Sequence, residues 1–188
     1  MEMARLRAEL KPQTPAEREK RLRAEVVEDL ETDEPVIGHV LPQDSLASEV
    51  STREHLEERV VSRLAVIASP LYELQSQVKA PDSNLFLDAL LVGQVDQVPD
   101  IVVEIKTVGR HAVRNVNNRM REAESQLLRY MSRFRRQSIG WLILILAEEI
   151  PLAERERVEA AAANVRDVYE VSIVRPEEID DLRLPIAV

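Results

Sequence analysis

The chain has 188 residues, a net charge of −9, 45% hydrophobic and 31% charged residues, and no cysteine. That length holds one globular domain with an ordinary packed core, and the lack of cysteine excludes disulfide scaffolds, thiolate-bound zinc and iron–sulfur clusters. The histidines (His39, His55, His111) stand at no metal-ligand spacing, no apolar run approaches the ~18 residues of a membrane span, and no signal peptide opens the chain, so the expectation is a soluble cytoplasmic protein without a membrane partner.

Residues 1–35 read as a charged helical arm. Thr14-Pro15-Ala16-Glu17 is a capping box with proline at the first helical position. The helix it opens runs to about Leu30, with Leu22, Val26, Val27 and Leu30 as a thin apolar stripe. So narrow a stripe anchors little core. It leaves open whether the arm docks on the main domain, joins a protein partner or a second copy, or stays undocked. The acidic run Glu28 to Glu34, with Pro35 and Gly38 after it, marks a linker over 36–50, and the main domain takes 51–188.

Ser51-Thr52-Arg53-Glu54 reads as a second capping box, followed by Leu56, Val60, Leu64, Ile67 and Leu71 at helical spacing. A short strand is predicted over Ser76–Ala80, before the turn Pro81-Asp82-Ser83. The runs LFLDALLV and IVVEIKTV follow, rich in branched residues and separated by the polar segment Gly93–Pro99, which predicts a hairpin. After Gly109 a long helix is expected over about Ala112–Arg136, with Val113, Val116, Met120, Ala123, Leu127, Met131 and Phe134 as its buried stripe. The continuous apolar run Ile139–Ala147 predicts a central strand buried on both faces. Pro151 opens a helix through the alanine-rich segment after it, and Tyr169–Val174 alternates as a last strand.

The hairpin carries three charged residues where buried strands usually carry none: Asp88, Glu104 and Lys106. If the hairpin is symmetric about Asp96, Asp88 lies opposite Glu104 with Cβ atoms about 5 Å apart. Lys106 then shares that face roughly 7 Å along the strand. Carboxylate oxygens suit Mg²⁺ and Mn²⁺, and a neighbouring ammonium suits the charge that develops during phosphoryl transfer.

Asp88 followed by Glu104-Ile105-Lys106 resembles the PD-(D/E)xK nuclease superfamily, over about Ser51 to Val174. The resemblance implies a restriction-endonuclease-like α/β fold: an αβββαβ core, with a mixed central sheet flanked by helices and here an N-terminal helical extension. It also implies that Asp88 and Glu104 hold Mg²⁺ or Mn²⁺ while Lys106 assists the attacking water. Many members draw a further acid from the preceding helix, and Glu57 is the candidate, with Glu54 and Glu58 as rivals. Asp100, after Pro99, lies about 13 Å from Glu104 along the same strand and is not taken as a ligand. Gln126 and Tyr130, in Q-L-L-R-Y, resemble the QxxxY motif of the RecB- and lambda-exonuclease-like branch, where both residues lie beside the active site and position the DNA end or its phosphates.

Between Lys106 and Arg136 stand nine Lys or Arg and two acids, a local excess of +7, leaving −16 for the rest of the chain. Arg110, Arg114, Arg119 and Arg129 are the candidates for gripping a phosphate backbone beside the carboxylates. The expected activity is a divalent-metal-dependent nuclease hydrolysing phosphodiesters, most readily of DNA, with RNA also open. QxxxY favours exonuclease action without settling exo against endo. Two alternatives stand beside it. One is a catalytically silent subunit of the same fold that binds a partner or nucleic acid within a larger complex. The other is an oligomer built by the arm, with the hairpin charges as an ordinary salt bridge.

Overall fold

The computed structural model describes residues 8–31, 43–68, 70–80, 84–95, 97–109, 116–146, 150–163 and 169–185. In chain order the elements are β1 (Lys11–Pro12), α1 (Pro15–Glu31), α2 (Gln43–Ala68), β2 (Tyr72–Ala80), β3 (Leu85–Gly93), β4 (Asp100–Val108), α3 (Val116–Phe134), β5 (Ser138–Leu146), α4 (Leu152–Ala163), β6 (Tyr169–Val174) and a 3-10 helix (Pro176–Asp181). The strands form one open sheet in the order β1-β2-β3-β4-β5-β6. β1 to β4 are antiparallel to one another, and β5 and β6 run parallel to β4. The parallel pairs need long crossovers, which α3 and α4 supply. The architecture is α/β, and the succession of helix, three strands, helix, strand, helix, strand predicted from Ser51 onward is present. None of the helices among the described residues is long and apolar enough to cross a membrane.

Helices cover both faces of the sheet. Met120, Ala123, Leu127 and Phe134 of α3, with Val158 of α4, pack on Leu90, Val92, Val102, Val108 and Leu144. On the other face Leu56, Val60 and Leu64 of α2, with Ile179 of the 3-10 helix, pack on Leu91, Ile101, Val103, Ile105 and Ile143. β5 is apolar along its length because both faces are covered. In β4 the side chains alternate: Ile101, Val103 and Ile105 face α2, and Val102 and Val108 face α3. Glu104 and Lys106 fall in the α3-facing set.

The first capping box forms as read: the Thr14 N–H donates to Glu17 Oε2 at 2.9 Å, and the Glu17 N–H donates to Thr14 Oγ1 at 3.3 Å. The second does not form. α2 begins at Gln43, so Ser51 lies inside the helix and the Thr52 hydroxyl donates to the Ser48 carbonyl at 3.0 Å. The last part of the anticipated linker, 43–50, is therefore helical, because QDSLASEV contains no glycine or proline to stop it. β2 begins at Tyr72, four residues before the predicted start. In α3 the buried stripe is Val116, Met120, Ala123, Leu127, Tyr130 and Phe134. Met131, expected inside, is 39% exposed, and Val113 lies outside the described residues.

α1 packs on α2. Among its described side chains Leu22 and Val26 are the fully buried apolar ones, Val27 is half-buried, and charged residues share the same face. Glu17 pairs with Lys79 of β2. Arg18 contacts Glu54, Glu57 and Glu58 of α2 at 3.3, 3.5 and 3.1 Å. Asp29, 1% exposed, binds Arg53 of α2 at 2.7 Å and Arg119 of α3 at 3.0 Å.

Candidate functional site

The β3–β4 ladder pairs Ala89, Leu90 and Leu91 with Val103, Val102 and Ile101. Continued by one step, that register sets Asp88 across from Glu104, as hairpin symmetry about Asp96 predicts. Asp88, Glu104 and Lys106 are 1%, 4% and 5% exposed. The backbone around Asp88 is irregular. Its Oδ2 accepts the Ile105 N–H at 2.7 Å, so the carboxylate takes a backbone proton next to the point where the paired ladder ends. On the other side the β2–β3 register places Gln77 opposite Asp88, and Gln77 has φ of 50°. A left-handed residue without a glycine costs of order 1–3 kcal/mol, and such strain collects at functional sites.

Two residues of α1 enter this cluster. Arg21 Nη1 lies 2.5 Å from Asp88 Oδ1, and its Nη2 lies 3.6 Å from Glu57 Oε2. Lys106 Nζ donates to Glu25 Oε1 at 2.8 Å and lies 3.9 Å from Glu104 Oε2. Glu57, reaching in from α2, is 4% exposed and so stands apart from its rivals Glu54 and Glu58, whose side chains are 46% and 59% exposed. The cluster thus gathers Glu25, Glu57, Asp88 and Glu104 around Arg21 and Lys106.

The electrostatics follow from burial and from that excess of acids. Burial pushes the Asp88 carboxyl up, but the charges of Arg21 and Lys106 and the Ile105 N–H outweigh it and hold Asp88 below the usual aspartate range. Burial, and then the Asp88 charge, drive Glu104 well above the usual glutamate range. The same two causes raise Glu57 to about 8 against the opposing pull of Arg21. Lys106 stays firmly protonated: burial works against its charge, and Glu25, Asp88 and Glu104 more than restore it.

Glu104 Oε1 is buried without a hydrogen-bond partner, as are Arg21 Nε and Nη2, while Asp88 Oδ1 is held by the Arg21 ion pair. The open Glu104 oxygen and the ion-paired Asp88 oxygen are of the donor type that Mg²⁺ draws from protein, usually one or two carboxylates completed by water or phosphate. The donor chemistry therefore fits Mg²⁺ or Mn²⁺. With α1 docked, no group of three or more His, Cys, Asp or Glu side chains among the described residues is placed to hold an ion. The Arg21 guanidinium stands on the Asp88 oxygen that a cation would use.

Gln126 is near this cluster. It lines a cleft of about 310 Å³ together with Arg21, Glu25, Glu104, Lys106 and Arg119, and its Oε1 accepts the Phe86 N–H at 3.2 Å. Tyr130 is elsewhere. It is fully buried, and its hydroxyl donates to Asp100 Oδ2 at 2.6 Å. Burial and the Asp100 charge raise the pKa of that hydroxyl. Tyr130, expected to contact DNA, turns its side chain into the core in this structure.

Arg119 also lines that cleft; it is 4% exposed and held by Asp29, Glu28, Glu122 and the Glu25 carbonyl, so its charge fastens α1. Arg129 is at the surface and donates to the Asn84 carbonyl at 2.7 Å. Arg110 and Arg114 lie outside the described residues. Asp100, set aside as a ligand, accepts the Gly93 N–H at 3.0 Å and pairs with Arg136 at 2.5 Å.

Arg21 and Glu25 are the site residues that sequence reasoning missed. A signal was present: the face of α1 that carries Leu22 and Val26 also carries Arg18, Arg21, Glu25 and Asp29 at spacings of three and four. No family model matches the chain, and no curated protein or solved structure shows significant similarity to it.

Proposed function

We propose that this chain is a divalent-metal-dependent nuclease of restriction-endonuclease-like fold, hydrolysing phosphodiester bonds of DNA. The observation that carries the reading is the β3–β4 register, which extended one step sets Asp88 across from Glu104, with Lys106 3.9 Å from Glu104 and a buried Glu104 oxygen lacking a hydrogen-bond partner. A sheet has no stabilising use for such groups, since buried charges cost more than they return unless well paired.

In this reading Asp88 and Glu104 hold Mg²⁺ or Mn²⁺, with Glu57 as a third carboxylate. Held there, such an ion would supply Lewis acidity for phosphodiester hydrolysis. Lys106 keeps its proton and directs N–H bonds toward the water that attacks phosphorus in line, or toward the oxygens that gain charge as the P–O bond to the leaving group breaks. Gln126, in the adjoining cleft, donates its amide to a phosphate or base edge. Arg129 adds positive charge at the surface, which orients the backbone without reading its sequence. DNA is preferred to RNA because of the likeness of Q-L-L-R-Y to QxxxY, now carried by Gln126 alone.

A second reading is favoured by one observation: Arg21 and Glu25 neutralise Asp88 and Lys106 from within the same chain. On that reading the fold is a catalytically silent subunit whose charged cluster docks the arm. Labelled linear and circular DNA incubated with Mn²⁺ or Mg²⁺ separates the two. The nuclease reading expects cleavage that disappears with a chelator and in both Asp88→Ala and Lys106→Ala, with circular DNA spared if the action is exonucleolytic. Absence of both cleavage and Asp88-dependent metal binding would leave the silent subunit.

A further inference from the structure

Resting on the metal-site reading above, we propose that α1 is the site's competing occupant, so that docking of α1 and binding of a divalent cation exclude one another. The Arg21 guanidinium supplies the positive charge that Asp88 and Glu57 require, at 2.5 and 3.6 Å. The Glu25 carboxylate takes Lys106 at 2.8 Å, away from any incoming water or phosphate. One helix thereby blocks both halves of the chemistry: a cation sits on the ligands, and an anion sits on the lysine.

The quality of the fit separates a removable occupant from a permanent part of the core. A settled interior interface satisfies its buried polar atoms. Here Arg21 Nε and Glu104 Oε1, one from each side of the same contact, are buried without a hydrogen bond, and Arg21 Nη2 meets Glu57 Oε2 only at 3.6 Å. Each such group carries an unrecovered desolvation penalty. An ion that ligates the carboxylates directly removes that deficit, and release of α1 returns the guanidinium to water. Among the described side chains of α1 the fully buried apolar ones are Leu22 and Val26, with Val27 half-buried. Ionic contacts add to these, and Asp29, Arg53 and Arg119 lie outside the carboxylate cluster, where they set how firmly α1 is held.

The test measures Mn²⁺ binding by calorimetry on the full chain and on Arg21→Ala, together with amide hydrogen exchange of wild type with and without saturating Mn²⁺. The proposal expects Arg21→Ala to bind Mn²⁺ at least tenfold more tightly than wild type. It also expects Mn²⁺ to accelerate exchange across residues 15–31 in wild type and to leave it unchanged in Asp88→Asn. The exchange measurement needs no folded Arg21 variant. Equal or weaker binding by Arg21→Ala, with exchange over 15–31 unaltered by bound Mn²⁺, would sink the competition while sparing the metal site. No Mn²⁺ binding by either protein would overturn the metal site and the competition together.

Discussion

Tyr130 donates its hydroxyl proton to the buried Asp100 carboxylate across 2.6 Å, closing the space where α3 crosses the start of β4. The same carboxylate accepts the Gly93 N–H and pairs with Arg136, so it ties the hairpin loop, the helix and its exit to one another. A hydrogen bond to a charged group contributes about 1.5–3 kcal/mol. Tyr130→Phe should therefore lower stability in urea unfolding by roughly that much while leaving DNA cleavage unchanged. A loss of cleavage at full stability would return Tyr130 to the substrate. The hydroxyl also gives a pH signature. Because its folded pKa is raised above the ordinary tyrosine value, the native state holds a proton that the unfolded chain sheds above pH ~10. Stability should fall as pH rises past that point, and the fall should be shallower in Tyr130→Phe.

The turn between β3 and β4 sets the register on which the site depends, and Gly93 is its tightest point. A Cβ built there would lie 2.2 Å from the Val98 carbonyl oxygen, and the obstacle is backbone, which cannot rotate away. Gly93→Ala should cost about 2–3 kcal/mol, at the upper end of ordinary overpacking. Any surviving activity should be lowered as well, since a shifted loop moves Asp88 relative to Glu104. A thermal melt identical to that of wild type would mean that the loop has room to rearrange.

The site's register was legible before any coordinates, and α1's place in it was not. Two apolar runs flanking a polar loop admit few pairings, so placing the turn at Asp96 was enough to bring Asp88 opposite Glu104. Arg21 and Glu25 meet Asp88 and Lys106 through ion pairs distant in sequence, and although their spacing puts them on the Leu22 and Val26 face, helical periodicity does not name the partners they find. The buried stripe of α3 went astray at one step for a definable reason. From Leu127 both the third and the fourth following residues, Tyr130 and Met131, are apolar, and helical spacing alone does not choose between them. Tyr130 turns inward because Asp100 offers its hydroxyl a partner, a fact held by another element. The start of α2 was missed because S-T-R-E reads as a cap wherever it occurs, and only the preceding residues show that the helix is already under way.

Glu104 offers a test of whether the cluster serves activity or stability. Burial and the Asp88 charge push its carboxyl well above the usual glutamate range, one oxygen has no partner, and Lys106 has a nearer carboxylate in Glu25. An amide of the same shape asks little more of that environment. Glu104→Gln should leave stability at neutral pH unchanged or raise it by about 1–2 kcal/mol, a range typical of replacing strained functional groups. Mn²⁺-dependent cleavage should fall at least about 100-fold, as expected when a charge-stabilising group is lost. Marked destabilisation without loss of cleavage would make Glu104 a structural residue.

Asp29 is the strongest single fastening of α1 outside the site. Its two oxygens hold Arg53 of α2 at 2.7 Å and Arg119 of α3 at 3.0 Å, and all three residues are buried. Removing one partner of such a set leaves uncompensated buried charge, a loss of about 3–5 kcal/mol when the structure cannot relax. Here it can relax, because Arg53 keeps Glu49 at 3.3 Å, and Arg119 keeps Glu28 and Glu122 at 3.2 Å each. The penalty should therefore appear as local opening of α1 before it appears as global unfolding. Hydrogen exchange on Asp29→Ala should accelerate across residues 15–31 while the amides of β4 and β5 keep nearly wild-type protection. Equal acceleration in helix and sheet would mean that α1 is part of the folding core, and that the body does not hold together without it.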